Sequence, residues 1–302
     1  MKKIVLVILT SILGIGLIGC KSNSEENKMS EATSETVNKA EVKTVKLDDV
    51  EMDYAVFGNG SKSFVIIPGL SIHSVMPLAE SIAEAYASFA SEYTVYVFDR
   101  AKNIQEGYSV LDMANDTASV MKELNIENAD IFGASQGGMI AQYIAINYPE
   151  LVHKMVLGST TSRATSAFEE VVEEWISLAE NKEEEKLLES FVDHVYSSNT
   201  LEAYRDVLIS SNLGITDEEY ERFIILAKAC ENFDSYDELN QITCKTLVLG
   251  SSGDKVVGVE GSKELAEALD AEIYLYDDSY GHGVYDEASD YKQRCLDFFH
   301  EN

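Results

Sequence analysis

Short apolar runs alternate with helical patterns along most of this chain. Phe64 to Ile67 is a continuous apolar run, which is typical of a strand buried on both faces of a sheet. Seven more segments have strand character, at 44–47, 52–57, 94–98, 130–132, 154–157, 246–249 and 272–276. Helical periodicity separates most of them, at about 75–90, 110–124, 136–148, 260–269 and 284–300. The pattern predicts an α/β fold with a doubly wound, mostly parallel eight-stranded sheet.

The alternation stops between residues 161 and 241, where no strand pattern occurs. We expect this stretch to form a helical lid inserted between the sixth and seventh strands. Its glutamates indicate solvated helix faces, and Trp175 is expected either to face a pocket or to hold the lid down. Four helical patterns fill the interval, at 167–179, 183–196, 201–210 and 217–230.

The N-terminal region has a different character from the rest of the chain. Lys2 and Lys3 precede an apolar run at 4–18, which is followed by Gly19 and Cys20. This order resembles a bacterial lipoprotein signal, and the resemblance implies that residues 1–19 are removed and that Cys20 is lipidated. An uncleaved anchor or an ordinary signal peptide would also take the protein out of the cytoplasm. We therefore expect an extracytoplasmic protein that is lipid-anchored to the bacterial cell membrane.

The composition of the remaining chain limits its partners. Residues 20–42 are mostly polar and predict a disordered, lipidated tether, which leaves a domain at 43–302. The formal net charge of −30 argues against nucleic acid as a partner, and also against binding to an anionic membrane surface through a basic patch. Beyond Cys20, the three cysteines have no zinc-like spacing, although Cys230 and Cys244 could pair. No metal or cofactor is implied.

The most informative motif lies between the fifth predicted strand and the helix that follows it. Gly133, Ser135 and Gly137 form a Gly-x-Ser-x-Gly pattern there. The pattern is typical of a nucleophile elbow, a tight turn that exposes a serine hydroxyl. Glycines suit the flanking positions because strand and helix approach each other closely at such a turn. We expect Ser135 to be the nucleophile.

A serine nucleophile needs a general base, for which histidine is the best suited side chain. Of the five histidines, His282 follows the last strand and is flanked by glycines, whereas His73 could line the pocket mouth. An acid must then orient the imidazole. We favour Asp254, in the loop that leaves the seventh strand, over Asp277 and Asp278, which are nearer to His282 in the sequence.

The oxyanion of an acyl-transfer intermediate needs backbone N–H donors. Gln136, directly after the predicted nucleophile, should supply one of them from the start of a helix. The second should come from the loop after the third strand, where Leu70 is the preferred candidate and Ser71 the next.

The order Ser135, Asp254, His282 resembles that of the α/β-hydrolase superfamily, and the resemblance extends from about residue 43 to 302. There are two departures. Many members have His-Gly where this chain has Pro68-Gly69, and the Gly-x-Gly-x-Ser stretch common after the Asp99-Arg100 pair is missing. Further shared motifs are Tyr148-Pro149-Glu150, Gly253-Asp254 and Gly281-His282. The position of the lid is similar to that in the single-domain esterases, lipases and aminopeptidases of this superfamily.

The resemblance implies a membrane-tethered serine hydrolase that cleaves a carboxylic ester of a small-molecule substrate through an acyl-enzyme on Ser135. An aminopeptidase or amidase of the same fold is the enzymatic alternative. A binding lipoprotein with an idle triad is the alternative from another class, because a fold does not by itself establish an activity.

Overall fold

A computed structural model describes residues 39–301, so the predicted signal, Cys20 and most of the predicted tether lie outside the described residues. Its eight strands form one sheet in the order β1-β2-β4-β3-β5-β6-β7-β8. β1 and β2 are antiparallel to their neighbours, and all other pairs are parallel, which confirms the predicted mostly parallel sheet. The strands are β1 Glu41–Lys46, β2 Glu51–Phe57, β3 Lys62–Ile67, β4 Tyr93–Ala101, β5 Ala129–Ala134, β6 Val152–Gly158, β7 Lys245–Ser251 and β8 Glu272–Tyr276.

The middle of the sheet is its most buried part. Every residue of β5 is buried, and this strand pairs with β3 on one side and β6 on the other. At the edge, β8 is exposed over most of its length. β5 therefore brings its carboxyl end, and the residues that follow it, to the centre of the molecule.

Helices cover both faces of the sheet. On one face pack α1 and α10, with a cluster of aromatic side chains that includes Phe64, Phe89 and Phe299. On the other pack α2, α3 and α8. In the described part of the chain, the α-helices outside the interval between β6 and β7 are α1 Ala79–Ala85, α2 Val110–Glu123, α3 Gln136–Asn147, α8 Gly258–Leu269, α9 Val284–Glu287 and α10 Tyr291–His300. Between residues 39 and 301 no helix is both long enough and apolar enough to cross a membrane.

Four further helices lie between β6 and β7, in the interval for which the sequence predicts a lid. They are α4 Ser166–Glu180, α5 Glu184–Val195, α6 Ser198–Ser210 and α7 Asp217–Glu231. Side-chain caps begin three of them, because Thr165, Ser197 and Thr216 each accept a backbone N–H from the first turn. We call this segment the helical insertion.

Two predicted helices differ from the structure. The pattern at 75–90 becomes a 3₁₀ turn at Met76–Leu78 followed by the short α1. The prediction of one helix over 284–300 is wrong, because Ala288 adopts an extended conformation at ψ 120° and separates α9 from α10. The break lets Tyr291 and Phe299 pack into the sheet while α9 stays beside the loop that carries His282.

Candidate active site

Ser135 occupies the turn between β5 and α3 in a conformation that few non-glycine residues adopt. Its φ and ψ are 52° and −121°, which costs on the order of 1–3 kcal/mol. Hydrogen bonds from both sides hold the turn in place. The Ser135 N–H donates to the Gly158 carbonyl at 2.8 Å, and the Thr160 hydroxyl donates to the Ser135 carbonyl at 2.8 Å. Hydrogen bonds to the end of β6 and to the segment that follows it therefore hold Ser135 in this conformation.

The two glycines of the motif are needed for steric reasons. A Cβ atom on Gly133 would lie 2.5 Å from the Gly137 carbonyl oxygen. One on Gly137 would lie 1.9 Å from the Ile67 carbonyl oxygen, which belongs to strand β3. Both contacts are with backbone atoms, which cannot rotate away as a side chain does. The elbow thus requires glycine at each position.

His282 and Asp254 form a buried pair. The His282 Nδ1 lies 2.9 Å from Asp254 Oδ2 and 3.0 Å from Oδ1. Asp254 Oδ1 also accepts the backbone N–H groups of Val256 and Val257, at 2.8 and 3.0 Å. These bonds fix the carboxylate, and the side chains of the pair are 3% and 1% exposed.

The competing acids lie elsewhere. The exposed Asp277 accepts hydrogen bonds from the backbone N–H and the hydroxyl of Ser279, and the exposed Asp278 does not contact His282. The bond from the Ser279 hydroxyl, and to a smaller extent the bond from its N–H, lowers the pKa of Asp277 below its ordinary value. The structure thus brings Asp254 to the imidazole and leaves both sequence neighbours outside the pair.

Ser135 and His282 line the same cavity, which has a volume of about 180 Å³. Since His282 Nδ1 is engaged by Asp254, Nε2 is the nitrogen left for a reacting group. Trp175 is buried and lines the cavity as well, so the first of the two alternatives for it, facing a pocket, is confirmed. The remaining lining is mainly apolar and includes Ile82, Phe132, Met139, Phe168, Val172 and Val195.

Both expected oxyanion donors lie beside the serine. Gln136 is the first residue of α3, and the first N–H groups of a helix have no acceptor within the helix. Leu70 lines the cavity, and the neighbouring Gly69 packs so closely that a Cβ there would lie 3.1 Å from Ser135 Cβ. The loop after β3 and the start of α3 therefore flank the hydroxyl.

Arg100 links these two segments, a role that the sequence reasoning missed. Its Nη2 donates to the Pro68 carbonyl at 2.5 Å and its Nε to Gln136 Oε1 at 3.3 Å. Burial lowers the pKa of this guanidinium to about 10. The charged Asp99-Arg100 pair at the end of a mostly apolar strand was the available signal, since charges in such a strand need hydrogen-bond partners.

The Gln136 side chain also joins the elbow to the helical insertion. Its Nε2 donates to the Leu226 carbonyl at 2.7 Å and contacts Cys230 Sγ at 3.1 Å, both on α7. Burial raises the pKa of the Cys230 thiol to about 12. Cys230, Cys244 and Cys295 are all free thiols, so the pairing considered for the first two does not occur.

The other four histidines have partners outside the cavity. We considered His73 as a residue of the pocket mouth, but it contacts Glu219 at 2.8 Å and the Asn212 carbonyl at 2.9 Å. His73 therefore joins the loop after β3 to the insertion. The remaining three contact acceptors elsewhere: His153 contacts Asp130, His194 the Ser190 carbonyl and His300 Glu92. In the described part of the chain, no cluster of three or more His, Cys, Asp or Glu residues could hold a metal ion.

Comparisons with known proteins agree with this architecture. A family model described as alpha/beta hydrolase fold matches residues 62–289. The chain is 27% identical over 204 residues to a protein of Serratia proteamaculans named "Putative carbamate hydrolase RutD", covering 60% of this chain and 71% of that protein. It is 21% identical over 234 residues to 3-oxoadipate enol-lactonase 2 of Acinetobacter baylyi, covering 75% and 84% of the two chains.

Solved structures show the same likeness at the level of the fold. MGS-M2, an alpha/beta hydrolase enzyme from a deep-sea metagenome library of the Medee basin, matches with a TM-score of 0.77 at 21% identity. The match covers 86% of this chain and 98% of that one. The enol-lactonase of Burkholderia xenovorans LB400 matches with a TM-score of 0.73 at 18% identity, over 86% and 100% of the two chains.

Proposed function

The chain belongs to the α/β-hydrolase fold family, and on that premise we propose that it is a serine hydrolase that cleaves a carboxylic ester through an acyl-enzyme on Ser135. One observation carries the proposal. Ser135 on its strained turn and His282, held by Asp254, line a single, mostly apolar cavity. A nucleophile, a base within the same cavity and an acid that orients the base are the three groups that acyl transfer needs.

The hydrogen bonds assign the protons of this arrangement. The Asp254 carboxylate can only accept, so the His282 Nδ1 carries a proton and Nε2 has the free electron pair. Nε2 takes the Ser135 proton as the oxygen attacks the ester carbonyl, and then gives it to the leaving alcohol. The N–H groups of Gln136 and Leu70 stabilise the oxyanion. Water, activated by the same nitrogen, releases the acid.

The cavity favours a small acyl group. Its volume of about 180 Å³ is below the range of roughly 300–1,000 Å³ found for pockets that hold drug-sized ligands. Most of its walls are apolar, and Asp286 is the one carboxylate among the lining residues that the structure describes. An apolar acyl chain fits such walls better than the ammonium group of an aminopeptidase substrate. The name of the enol-lactonase relative describes a cyclic ester as that protein's substrate, which supports an ester as the substrate class proposed here.

A panel of p-nitrophenyl esters with acyl chains of increasing length, together with aminoacyl p-nitroanilides, tests the substrate class. We expect the highest kcat/KM for short acyl esters and little turnover of the anilides. Higher kcat/KM for the anilides would favour the aminopeptidase instead. Covalent labelling by a fluorophosphonate distinguishes either enzyme from a binding lipoprotein, because an idle serine should not react.

We also propose that the domain works outside the cytoplasm, tethered through a lipid on Cys20. The support is the order of charge, apolar run and Gly19-Cys20 in the sequence, since these positions lie outside the described residues. Replacing Cys20 by Ser should move the protein from the membrane fraction to the soluble fraction without changing its kcat on soluble esters. A variant that stays in the membrane pellet would show that another segment is the anchor.

A further inference from the structure

The loop that carries His282 rests on the helical insertion. The Gly283 N–H donates to the Val195 carbonyl, the last residue of α5, at 2.7 Å. On the other side of the histidine, a Cβ on Gly281 would lie 2.7 Å from the backbone of Val195, Tyr196 and Ser197. The two glycines therefore let the backbone of this loop lie directly against the junction between α5 and α6.

One carboxylate joins the loop and the junction. Glu287 Oε2 accepts the Gly281 N–H at 2.7 Å. Its other oxygen, Oε1, accepts the Ser197 N–H at 2.9 Å and the Thr200 hydroxyl at 2.6 Å. Hydrogen bonds to an ionised acceptor are shorter and stronger than neutral ones. Glu287 thus holds the residue before His282 and the start of α6 together through three donors.

This carboxylate has no counter-charge among the salt bridges of the described residues, so its contacts serve geometry and not ion pairing. His282 has a glycine on each side, and neither glycine has a side chain that could anchor the loop. The Val195 carbonyl and Glu287 hold the backbone on either side of the base, together with the Asp286 N–H, which donates to the Gly283 carbonyl, and the Ser251 hydroxyl, which donates to the Tyr280 carbonyl. Val195 and Tyr196 also line the cavity, so the same contacts place a wall of the pocket relative to the base.

We propose that Glu287 is a positioning residue for His282, which fixes the loop of the general base against the helical insertion. The inference rests on the proposed function, because positioning matters only if His282 is the base. It gives the insertion a role beyond covering the cavity, since its α5–α6 junction supports the base. A displacement of about 1 Å in a catalytic group can cost 10²-fold in rate, so this support should be visible in kcat.

Glu287→Gln is the direct test. A glutamine has one acceptor oxygen, and the insertion offers two donors where Gly281 offers one. We expect the amide oxygen to face Ser197 and Thr200, which turns the amide NH₂ toward the Gly281 N–H and releases the His282 loop. Thr200→Val is the matched control, because it removes one bond on the insertion side and leaves the Gly281 bond intact.

The measurements are kcat and KM on a p-nitrophenyl ester, the rate of fluorophosphonate labelling, and Tm. For Glu287→Gln we expect kcat and the labelling rate to fall together by about 10-fold or more, since both need the base, with KM changed less than about threefold. The loss should be the same across the pH profile, because Glu287 exchanges no proton with substrate. Thr200→Val should lower Tm and leave kcat unchanged. Glu264→Gln removes a different carboxylate, one that is bound to Arg163, and so controls for the loss of a negative charge in Glu287→Gln.

Three results would decide against the inference. A folded Glu287→Gln protein with wild-type kcat and labelling would show that the contact only stabilises the fold. An equal loss of kcat in Thr200→Val, which keeps the bond between Glu287 and the Gly281 N–H, would show that the loss does not depend on that bond. A wild-type protein that neither turns over esters nor reacts with the fluorophosphonate would remove the proposed function, and this inference with it. If Glu287→Gln does not fold, Glu287→Asp, which is too short to reach both sides, carries the same expectation.

Discussion

Replacing Asp254 by Asn should change which nitrogen of His282 carries the proton. Oδ1 of the carboxylate accepts the N–H groups of Val256 and Val257, and both of its oxygens lie within 3.0 Å of the His282 Nδ1. An asparagine has one acceptor oxygen, and the two fixed backbone donors should claim it. Its NH₂ then faces Nδ1, which must become an acceptor, so the proton of the neutral imidazole moves to Nε2.

The size of the effect follows from this exchange. With Nε2 protonated, His282 cannot accept the Ser135 proton, and we expect kcat to fall by about 10⁴-fold. The cost to the fold should be small, because each buried donor keeps a partner and only one charged hydrogen bond becomes neutral, a change of roughly 1 kcal/mol. For a chain of this size that corresponds to a shift of roughly 2–4 °C in Tm. The variant should thus be folded and inactive.

The assay compares kcat on a p-nitrophenyl ester with the thermal melt of the same preparation. Asp277→Asn is the matched control, because this exposed carboxylate contacts only Ser279 and its replacement should leave kcat within about twofold. An Asp254→Asn protein that keeps more than a tenth of wild-type kcat would refute the tautomer argument. A severe loss in Asp277→Asn would show that the acid is supplied from the end of β8.

Three further outcomes are expected. Ser135→Ala should lower ester hydrolysis by about 10⁴-fold or more while the protein remains folded, and a variant with a tenth of wild-type turnover would exclude serine catalysis. Gly137→Ala should lower the free energy of unfolding by about 3 kcal/mol or more in chemical denaturation, because the added Cβ would lie 1.9 Å from the Ile67 carbonyl oxygen. An unfolding midpoint equal to that of the wild type would contradict the packing described for the elbow. Because burial raises the pKa of Cys230 to about 12, this thiol should not react with Ellman's reagent at pH 8 until the protein unfolds. A thiol titration with and without denaturant measures this difference in reactivity.

Local sequence signals were enough for most of the elements and for the selection of two candidate residues. Burial on both faces of a strand produces a continuous apolar run, as at 64–67, and a helix repeats its apolar face every three to four residues. The elbow around Ser135 is also local, because the glycines that permit the close approach stand beside the serine. His282 could be selected for a similar reason, as a histidine between two glycines after the last strand.

The sequence favoured Asp254 over Asp277, and the tertiary structure shows which of the two contacts His282. Asp277 is 5 residues from His282 and Asp254 is 28 residues away, yet the more distant Asp254 forms the pair. The reason is that β7 and β8 are neighbouring parallel strands, so the loops that follow them lie at the same edge of the sheet. The break between α9 and α10 was invisible for a related reason. Helical periodicity continues through it, and the break depends on what Tyr291 and Phe299 contact in the sheet.

The contacts that support the site could not be derived from the sequence, although the charged Asp99-Arg100 pair was a signal for one of them. Arg100 reaches Gln136 across 36 residues, and Glu287 reaches Ser197 across 90. The sequence does not distinguish a charged side chain that is solvated from one that holds a catalytic loop. The role of the side chain depends on which buried donors or acceptors the fold places within hydrogen-bonding distance. The sequence therefore indicated most of the elements and the candidate nucleophile, base and acid, whereas the contacts of Arg100 and Glu287 depend on long-range packing.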